Sequence, residues 1–582
     1  MKKSALKWNP VFWGLFLICG ILILYKCRFG YAYSDECFYL TIPYRLTQGD
    51  RLILNEWNPA QLAGFLLYPA VSLYLRIFGS TEGIVLAFRY LYAALHLISA
   101  LLLYGKLRKN TEIGACILAI LYTIYAPYGV MALSYNSMGL GTMMLALAFL
   151  CSSPRGRDCY LSGVFFALSV MCCPYLAVLW LILLLMYAMK LEPWAGRDGG
   201  RAKVGFLLWN SGVMTVAAVF FGYLFSRIAP RDVIRFLPLI LHNAEHPDLP
   251  FLTVVRLYFH YLFEIRLVAL SWGITAGLFV IELLDKKRQA HKLLYFAAAS
   301  CLAVIQIYYF VRIDRYINYL VLPLNTMFPP VYLLCDSEEM RGERKKILFG
   351  YMIPGFIYSF CCHFASNQRL YTISSTSFIM LMGTVVLTGL YLQNELRRSD
   401  QKGLCAKAAV AVGCLAFALE IGSLAYLRYT SVFWERSMKE QTILVNAGPE
   451  KGILVSERAF LEYDRYMTEV TKYIGKGKTV FLARETVPYL IAQNEIAAPS
   501  AWMSGSADDQ INSLREYYAI NPEKEPDYVY CSEKYQDAAA TLWENDEYTK
   551  TVTESGNIVF CRKMSASQLP AAENQKIDNQ GQ

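Results

Sequence analysis

Two adjacent acids, Asp35 and Glu36, lie about ten residues beyond the first apolar run of the chain. Carboxylates this close to a membrane face are costly when desolvated, so the pair is either solvated in a juxtamembrane loop or kept for chemistry. Arg89 interrupts a later apolar run. An arginine within a span normally serves a partner or a pathway, the alternative being a side chain that snorkels to the interface. In His242-Asn-Ala-Glu-His246 two imidazoles stand four residues apart, on one face if the segment is helical, as zinc ligands would. The order is not HExxH, Pro247 follows at once, and the only third ligand in view is Glu56 in another loop, so a polar lid is the stronger expectation.

The elements that must position these residues are read from composition. Of 582 residues, 56% are hydrophobic and 17% charged, against about 45–50% and about 25% in soluble domains. A single soluble globule, a disordered chain and a collagen-like repeat are excluded; lipid must be the solvent for most of the chain. Thirteen spans are expected, at 9–25, 83–104, 113–133, 136–151, 159–173, 174–189, 204–226, 267–284, 293–311, 316–335, 347–364, 371–393 and 408–427. Several approach the lower limit of about 17 residues for a crossing, notably the pair flanking Pro174.

Charge divides the chain. Residues 428–582 hold 17 Lys+Arg and 23 Asp+Glu, leaving 38 and 23 in 1–427. Basic charge between apolar runs with an acidic tail excludes a nucleic-acid footprint. The N-terminus and alternate loops hold 24 Lys+Arg, whereas the four short intervening loops hold only Arg312, Arg315 and Arg369. By the retention of basic loops in the cytoplasm, a multi-pass cell-membrane protein is expected, with its N-terminus cytoplasmic and its tail extracytoplasmic. Segments 26–82 and 227–266 are then outer loops of a transmembrane domain, 1–427. The second carries Arg227, Arg231, Asp232 and Arg235, then Arg256, His260, Glu264 and Arg266 among apolar residues, as interfacial helices do. The first span is expected to stay as an anchor, since Phe29-Gly-Tyr-Ala-Tyr-Ser34 is a poor cleavage site.

In 428–564 the runs shorten. Strands are expected at 453–456, 479–483, 528–531 and 557–561 and helices at 458–475 and 509–519, a small α/β accessory domain over the outer face. Residues 565–582 read as a disordered tail. Cys531 and Cys561 are the one pair whose bonding in an oxidising compartment is open.

The stretch 33–61 resembles the first external loop of GT-C glycosyltransferases, especially the aminoarabinose transferase and protein O-mannosyltransferase branch. The matching features are Asp35-Glu36 after span one, Tyr39 just beyond, a helix ending at Gly49-Asp50, the stretch through Pro69, Phe78-Gly79 before span two, and Arg89 inside it. They cover 1–110; past about residue 330 the resemblance is topological. It implies a GT-C-like polytopic helical fold and an inverting transfer of sugar from a polyprenyl-phosphate donor to an acceptor hydroxyl of a lipid, envelope glycan or protein. Asp35 is then the general base and Glu36 an orienting or alternative acid. Cations must meet the leaving phosphate, and arginine suits this through its fork of donors. Arg89 leads, Arg312 and Arg315 follow, and Arg235 and Arg45 are lower choices, with Tyr39 at the substrate. Many members place a second acidic motif in a later outer loop to hold a divalent ion. Here that loop reads Ser134-Tyr135-Asn136-Ser137, so no cofactor is expected and Tyr135 and Asn136 are assigned to sugar hydroxyls, a plain loop turn being the alternative. The competing readings are a transporter or lipid flippase, for which no inverted repeat is seen, and an assembly protein presenting the tail.

Overall fold

In hydrocarbon every backbone N–H and C=O must be satisfied within its own segment, and only a helix does that alone. The apolar runs accordingly fold as helices in the computed structural model, which describes residues 8–563 except 32, 153–154, 192–198, 242–248, 285–290, 314–316, 367–368, 398–403, 433–436, 476–478, 484–485 and 504–507. The helical body comprises α1 (Trp8–Lys26), α2 (Tyr33–Thr47), α3 (Gln61–Phe78), α4 (Ile84–Leu107), α5 (Glu112–Ile124), α6 (Tyr135–Cys151), α7 (Gly156–Cys172), α8 (Ala177–Ala188) and α9 (Gly199–Arg227). It continues with α10 (Pro230–Leu241), α11 (Phe251–Leu262), α12 (Arg266–Leu284), α13 (His291–Ile313), α14 (Val321–Asn325), α15 (Phe328–Leu334), α16 (Glu338–Ile347), α17 (Ile353–Ser366), α18 (Arg369–Thr376), α19 (Phe378–Arg397) and α20 (Leu404–Thr430).

Eight helical stretches among the described residues are long and apolar enough to cross a membrane, nine if the pair α11 and α12, bent by 92°, counts as one. The thirteen expected spans all meet helices, but they are unequal. Helices α5, α6 and α8 are short apolar segments, and 316–335 is broken into a 3-10 turn, α14 and α15 around Pro323, Pro329 and Pro330, because proline removes a donor and clashes with the preceding turn. Helix α3 passes the length test although it belongs to the segment expected to be a loop. Both of its ends bond the same C-terminal domain: Trp57 N–H donates to the Pro499 carbonyl at 2.7 Å before it, and Thr81 Oγ1 to the Leu490 carbonyl at 2.6 Å after it. We therefore read α3 as lying along the domain-bearing face. Helices α7 and α9 pack at closest approach, since a Cβ on Gly163 would fall 2.0 Å from the Trp209 carbonyl oxygen and one on Gly212 2.1 Å from that of Tyr160, the small-residue contact that holds helices together where lipid offers no hydrophobic drive.

After α20 the chain forms a two-stranded antiparallel ribbon of β1 (Ile443–Leu444) and β2 (Leu454–Val455), then α21 (Glu457–Tyr473), β3 (Thr479–Leu482), α22 (Val487–Ala492), β4 (Glu495–Ile496), α23 (Asp508–Ile520), β5 (Tyr528–Cys531), α24 (Gln536–Trp543), β6 (Tyr548–Val552) and β7 (Ile558–Arg562). The five-stranded sheet has the order β4-β3-β5-β7-β6, parallel from β4 to β5 and antiparallel beyond. The four expected strands and two expected helices are present; β1, β4, β6, α22 and α24 are additions. Alternating polar residues in Tyr-Thr-Lys-Thr-Val, exposed along an edge strand, hid β6. Cys531 and Cys561 are both free, because the register sets Cys561 opposite Tyr528 and Cys531 opposite Ile558. The tail expected to be disordered lies outside the described residues.

This domain is joined to 26–82 by buried charge. Arg45 of α2, fully buried, bonds Asp50 through Nε at 2.7 Å, Glu56 through Nη1 at 2.8 Å, the Asn55 carbonyl through Nη2 at 2.6 Å and Tyr517 Oη at 3.3 Å. Lys524 reaches Asp50 at 2.6 Å and Glu495 at 2.9 Å. Two cations thus meet two buried acids, and removing one partner from such a set costs about 3–5 kcal/mol because it strands a desolvated charge. Arg45→Met is expected to lower the unfolding temperature and to open the 431–442 junction to limited proteolysis. An unchanged melting curve in detergent would show that the network does not hold the domain in place.

Candidate functional site

Asp35 and Glu36 sit in the first turn of α2, where free N–H groups and the helix dipole favour negative charge. Adjacent residues on a helix point about 100° apart, and the two acids differ accordingly. Glu36 is buried at 2% exposure, while Asp35 is half-buried. Glu36 is clamped by Arg89 of α4, whose Nε donates to Oε1 at 2.7 Å and whose Nη2 donates to Oε2. The remaining guanidinium donors go to backbone carbonyls of the turn between α1 and α2: Nη1 to Cys27 at 3.0 Å and Phe29 at 3.4 Å, Nη2 to Gly30 at 2.8 Å. All five N–H groups of Arg89 are used, which locks the entry of α2 onto α4.

Gly30 is the corner of this lock. Its φ is +75°, and a Cβ there would stand 2.1 Å from Val432 Cγ1. Its N–H donates to the Leu454 carbonyl at 2.7 Å, and Leu454 N–H returns the bond to Arg28, so a short parallel bridge ties the turn to β2. The C-terminal domain is therefore part of the structure that aims Asp35 and Glu36.

Beside Glu36 a small cleft, with room for about one water, is lined by Glu36, Tyr39, Leu40, Phe88, Arg89 and Leu133; Asp35 is not among its lining residues. Tyr39 stands edge-on to Tyr135, ring centroids 5.7 Å apart, and its hydroxyl lies near Asn136 in the field of Tyr135, Asp35 and Tyr128. The residues 134–137 start α6: the Ser134 side chain accepts from Ser137 N–H and the Ser137 side chain from Ser134 N–H, a reciprocal cap. Tyr39, Tyr135, Asn136 and Asp35 are thus brought together. Arg89 is next to them but engaged, and Arg45 belongs to the ionic network behind α2. Arg235 is exposed on α10 with its guanidinium over Phe236, and Arg312 is exposed at the end of α13; neither is joined to the cleft. Arg315 and His242–His246 lie outside the described residues, and Glu56, the third metal ligand considered, is held by Arg45. Among the described residues no three His, Cys, Asp or Glu side chains converge as a metal site would require.

Three buried charges escaped sequence reading. Lys26 closes α1, and Nζ donates to the carbonyls of Arg428 and Ser431; Arg428, 2% exposed, has Nε and Nη2 without a hydrogen-bond partner among the described residues. Both end apolar runs, where a cation looks like an ordinary interface anchor. Glu450 sits in Gly448-Pro-Glu-Lys-Gly452, which reads as a surface turn, yet it is fully buried beneath the domain. Burial pushes its carboxyl well above the usual range; Tyr31 and Arg89 pull it down, while Glu36 and Glu462 push it further up. Cys37 and Tyr463 also face it. A carboxyl whose pKa is raised by folding binds more protons folded than unfolded, so stability is highest below its unfolded pKa of about 4.3 and declines as pH rises toward the folded value. Glu450→Gln is expected to flatten this decline and to raise the melting temperature at pH 8 more than at pH 5. Equal gains at the two pH values would remove Glu450 as the titrating group.

No family model matches the chain, and no curated protein matches it. Among solved structures it is similar to the Archaeoglobus fulgidus oligosaccharyltransferase in the apo form, at 12% identity over 96% of this chain and 75% of that chain, with a TM-score of 0.45. It is also similar to the oligosaccharyltransferase AglB of the same organism in complex with an inhibitory peptide and a dolichol-phosphate, at 12% identity, 97% and 75% coverage and a TM-score of 0.38. A third is ArnT from Cupriavidus metallidurans bound to undecaprenyl phosphate, at 14% identity, 97% and 100% coverage and a TM-score of 0.43. Overlays this loose transfer no residue role to this chain.

Proposed function

We propose that this membrane-integral chain is a GT-C-type glycosyltransferase that moves a sugar from a polyprenyl phosphate to an acceptor hydroxyl on the extracytoplasmic face, the face that carries the C-terminal domain. The observation that carries the reading is the division of labour between the two acids. Glu36 is neutralised by the fully engaged Arg89, and Asp35, one residue away and half-buried, is within electrostatic reach of Tyr39, whose ring stands against Tyr135. A carboxylate at the start of a helix, next to hydroxyl and amide groups, is placed as a general base.

In the proposed reaction the acceptor O–H gives its proton to Asp35 as its oxygen forms a bond to the anomeric carbon. The bond from that carbon to the phosphate oxygen breaks on the opposite side, and the polyprenyl phosphate departs with the electron pair. One displacement inverts the anomeric centre, so no second carboxylate is needed as a nucleophile. Glu36 and Arg89 are positioning residues in this scheme. Positive charge for the departing phosphate is assigned to Arg428, buried near the end of α20 with Nε and Nη2 lacking a hydrogen-bond partner among the described residues, where low dielectric strengthens the attraction. Tyr39, Tyr135 and Asn136 are assigned to the sugar hydroxyls, and the reaction is proposed to need no metal.

One observation favours a transporter instead. Glu420, well inside α20, is fully buried and both its oxygens lack a hydrogen-bond partner among the described residues, as intramembrane carboxyls of ion pathways are often found. Substrate flux in proteoliposomes without any glycosyl donor would establish that reading. For the transferase, Asp35→Asn in purified membranes supplied with undecaprenyl-phosphate sugars is expected to lower turnover by about 10²–10⁴-fold with little change in donor binding. Full activity of that variant would refute the assignment of the base.

A further inference from the structure

Tyr128 lies between α5 and α6 in a conformation that its side chain does not favour. It has φ 57° and ψ 10° and is followed by Gly129 at φ 74°. The left-handed region costs a non-glycine residue roughly 1–2 kcal/mol, and such strain persists only where surrounding structure imposes it. Here the imposition is visible. Tyr128 N–H donates to Asn318 Oδ1 at 2.9 Å, and Tyr128 Oη donates to Thr372 Oγ1 at 3.0 Å; Thr372 is in turn bonded to Ser366 at 3.0 Å. The Tyr371 ring stands behind it at 5.0 Å. Backbone, hydroxyl and one side of the ring are thus fixed by separate segments of the second half of the chain.

The ring shares its packing with the candidate site. Tyr39 and Tyr128 pack on the same small apolar patch, Val130 and Ala132, and Tyr128 lies in the field of Tyr135 as Tyr39 lies in that of Asp35. Tyr39 is thus within electrostatic reach of Asp35, Tyr135 and Tyr128 alike, and all three tyrosines are only half-buried.

We propose that Tyr128 is a specificity-determining residue of the transfer reaction: its ring, held rigid by the left-handed turn, is the platform on which the donor sugar rests beside Asp35. This inference rests on the glycosyltransferase reading. A sugar ring presents on one face C–H groups made electropositive by their oxygens, and the face of an aromatic ring carries complementary negative charge. The hydroxyls at the sugar's edge are then left to Asn136, Tyr39 and Asp35. Because Thr372 and Asn318 fix the ring before any ligand arrives, little ordering cost is met on binding.

The test is equilibrium binding to the full chain in nanodiscs, using undecaprenyl phosphate alone and the same lipid carrying glucose, mannose or arabinose. Tyr128→Asn keeps a residue that tolerates the left-handed turn and removes the ring; Tyr128→Phe keeps the ring and frees the hydroxyl. For a sugar that the wild type prefers over the bare lipid, Tyr128→Asn is expected to lose about three- to tenfold in affinity with bare-lipid binding unchanged, and Tyr128→Phe to retain the preference. Tyr128→Asn binding the sugar lipid as wild type does, or losing both lipids equally, would overturn the role of the ring. Wild-type protein that binds bare and sugar-bearing lipids alike, or neither, would overturn the transferase reading and this inference with it.

Discussion

The guanidinium of Arg89 is the point on which the candidate site turns. An arginine brought into a helical body surrounded by lipid must find an acceptor for every donor, because water is absent and each unmet group costs several kcal/mol. Glu36 supplies charge and two acceptors, and three carbonyls of the turn 27–30 supply the rest. The way α2 enters against α4 and the left-handed corner at Gly30 are both tied to satisfying that one side chain. The same corner then offers its N–H to Leu454, so the requirement is passed on to the C-terminal domain.

Much of this was legible in the chain. Long uncharged runs specify membrane helices almost without regard to tertiary context, since lipid leaves few other solutions, and the strands at 479–482 and 528–531 are short, apolar and bounded by polar turns. Asp35 and Glu36 stood out because acids are sparse near apolar runs. Their different fates did not, because a two-residue sequence cannot say which acid faces Arg89. Arg89 and Arg45 were legible as charges with business at the membrane face, but the identity of their partners depends on contacts across the fold, some as distant in sequence as the 472 residues between Arg45 and Tyr517. Helix α3 is the ambiguous element: the charge pattern leaves it in an outer loop while its composition suits a crossing, and its placement is read from the anchoring of both its ends to one domain.

The C-terminal domain also changes character. Its composition, acidic and conventionally soluble, suggests an appendage. In the structure it buttresses the loop behind the site, contributing Glu450 beneath the loop, Leu454 against the turn and Tyr517 and Lys524 to the buried network. It supplies rigidity, which is the property a loop needs if it is to hold a reactive group in one place.

That arrangement has a consequence for the timing of synthesis. The loop at 26–82 is made among the first segments of the chain, yet the surfaces it rests on, from Gly448 to Lys524, are made among the last. At about 5–20 residues per second, the 472 residues separating Arg45 from Tyr517 represent roughly half a minute to a minute and a half of translation. Through that interval Arg45, Asp50 and Glu56 can meet one another but not the domain, and the first loop waits unsupported at the membrane surface. A chain released early would keep its acids and most of its helices while lacking the partners behind them, so a truncation late in the sequence is felt by the loop at its beginning.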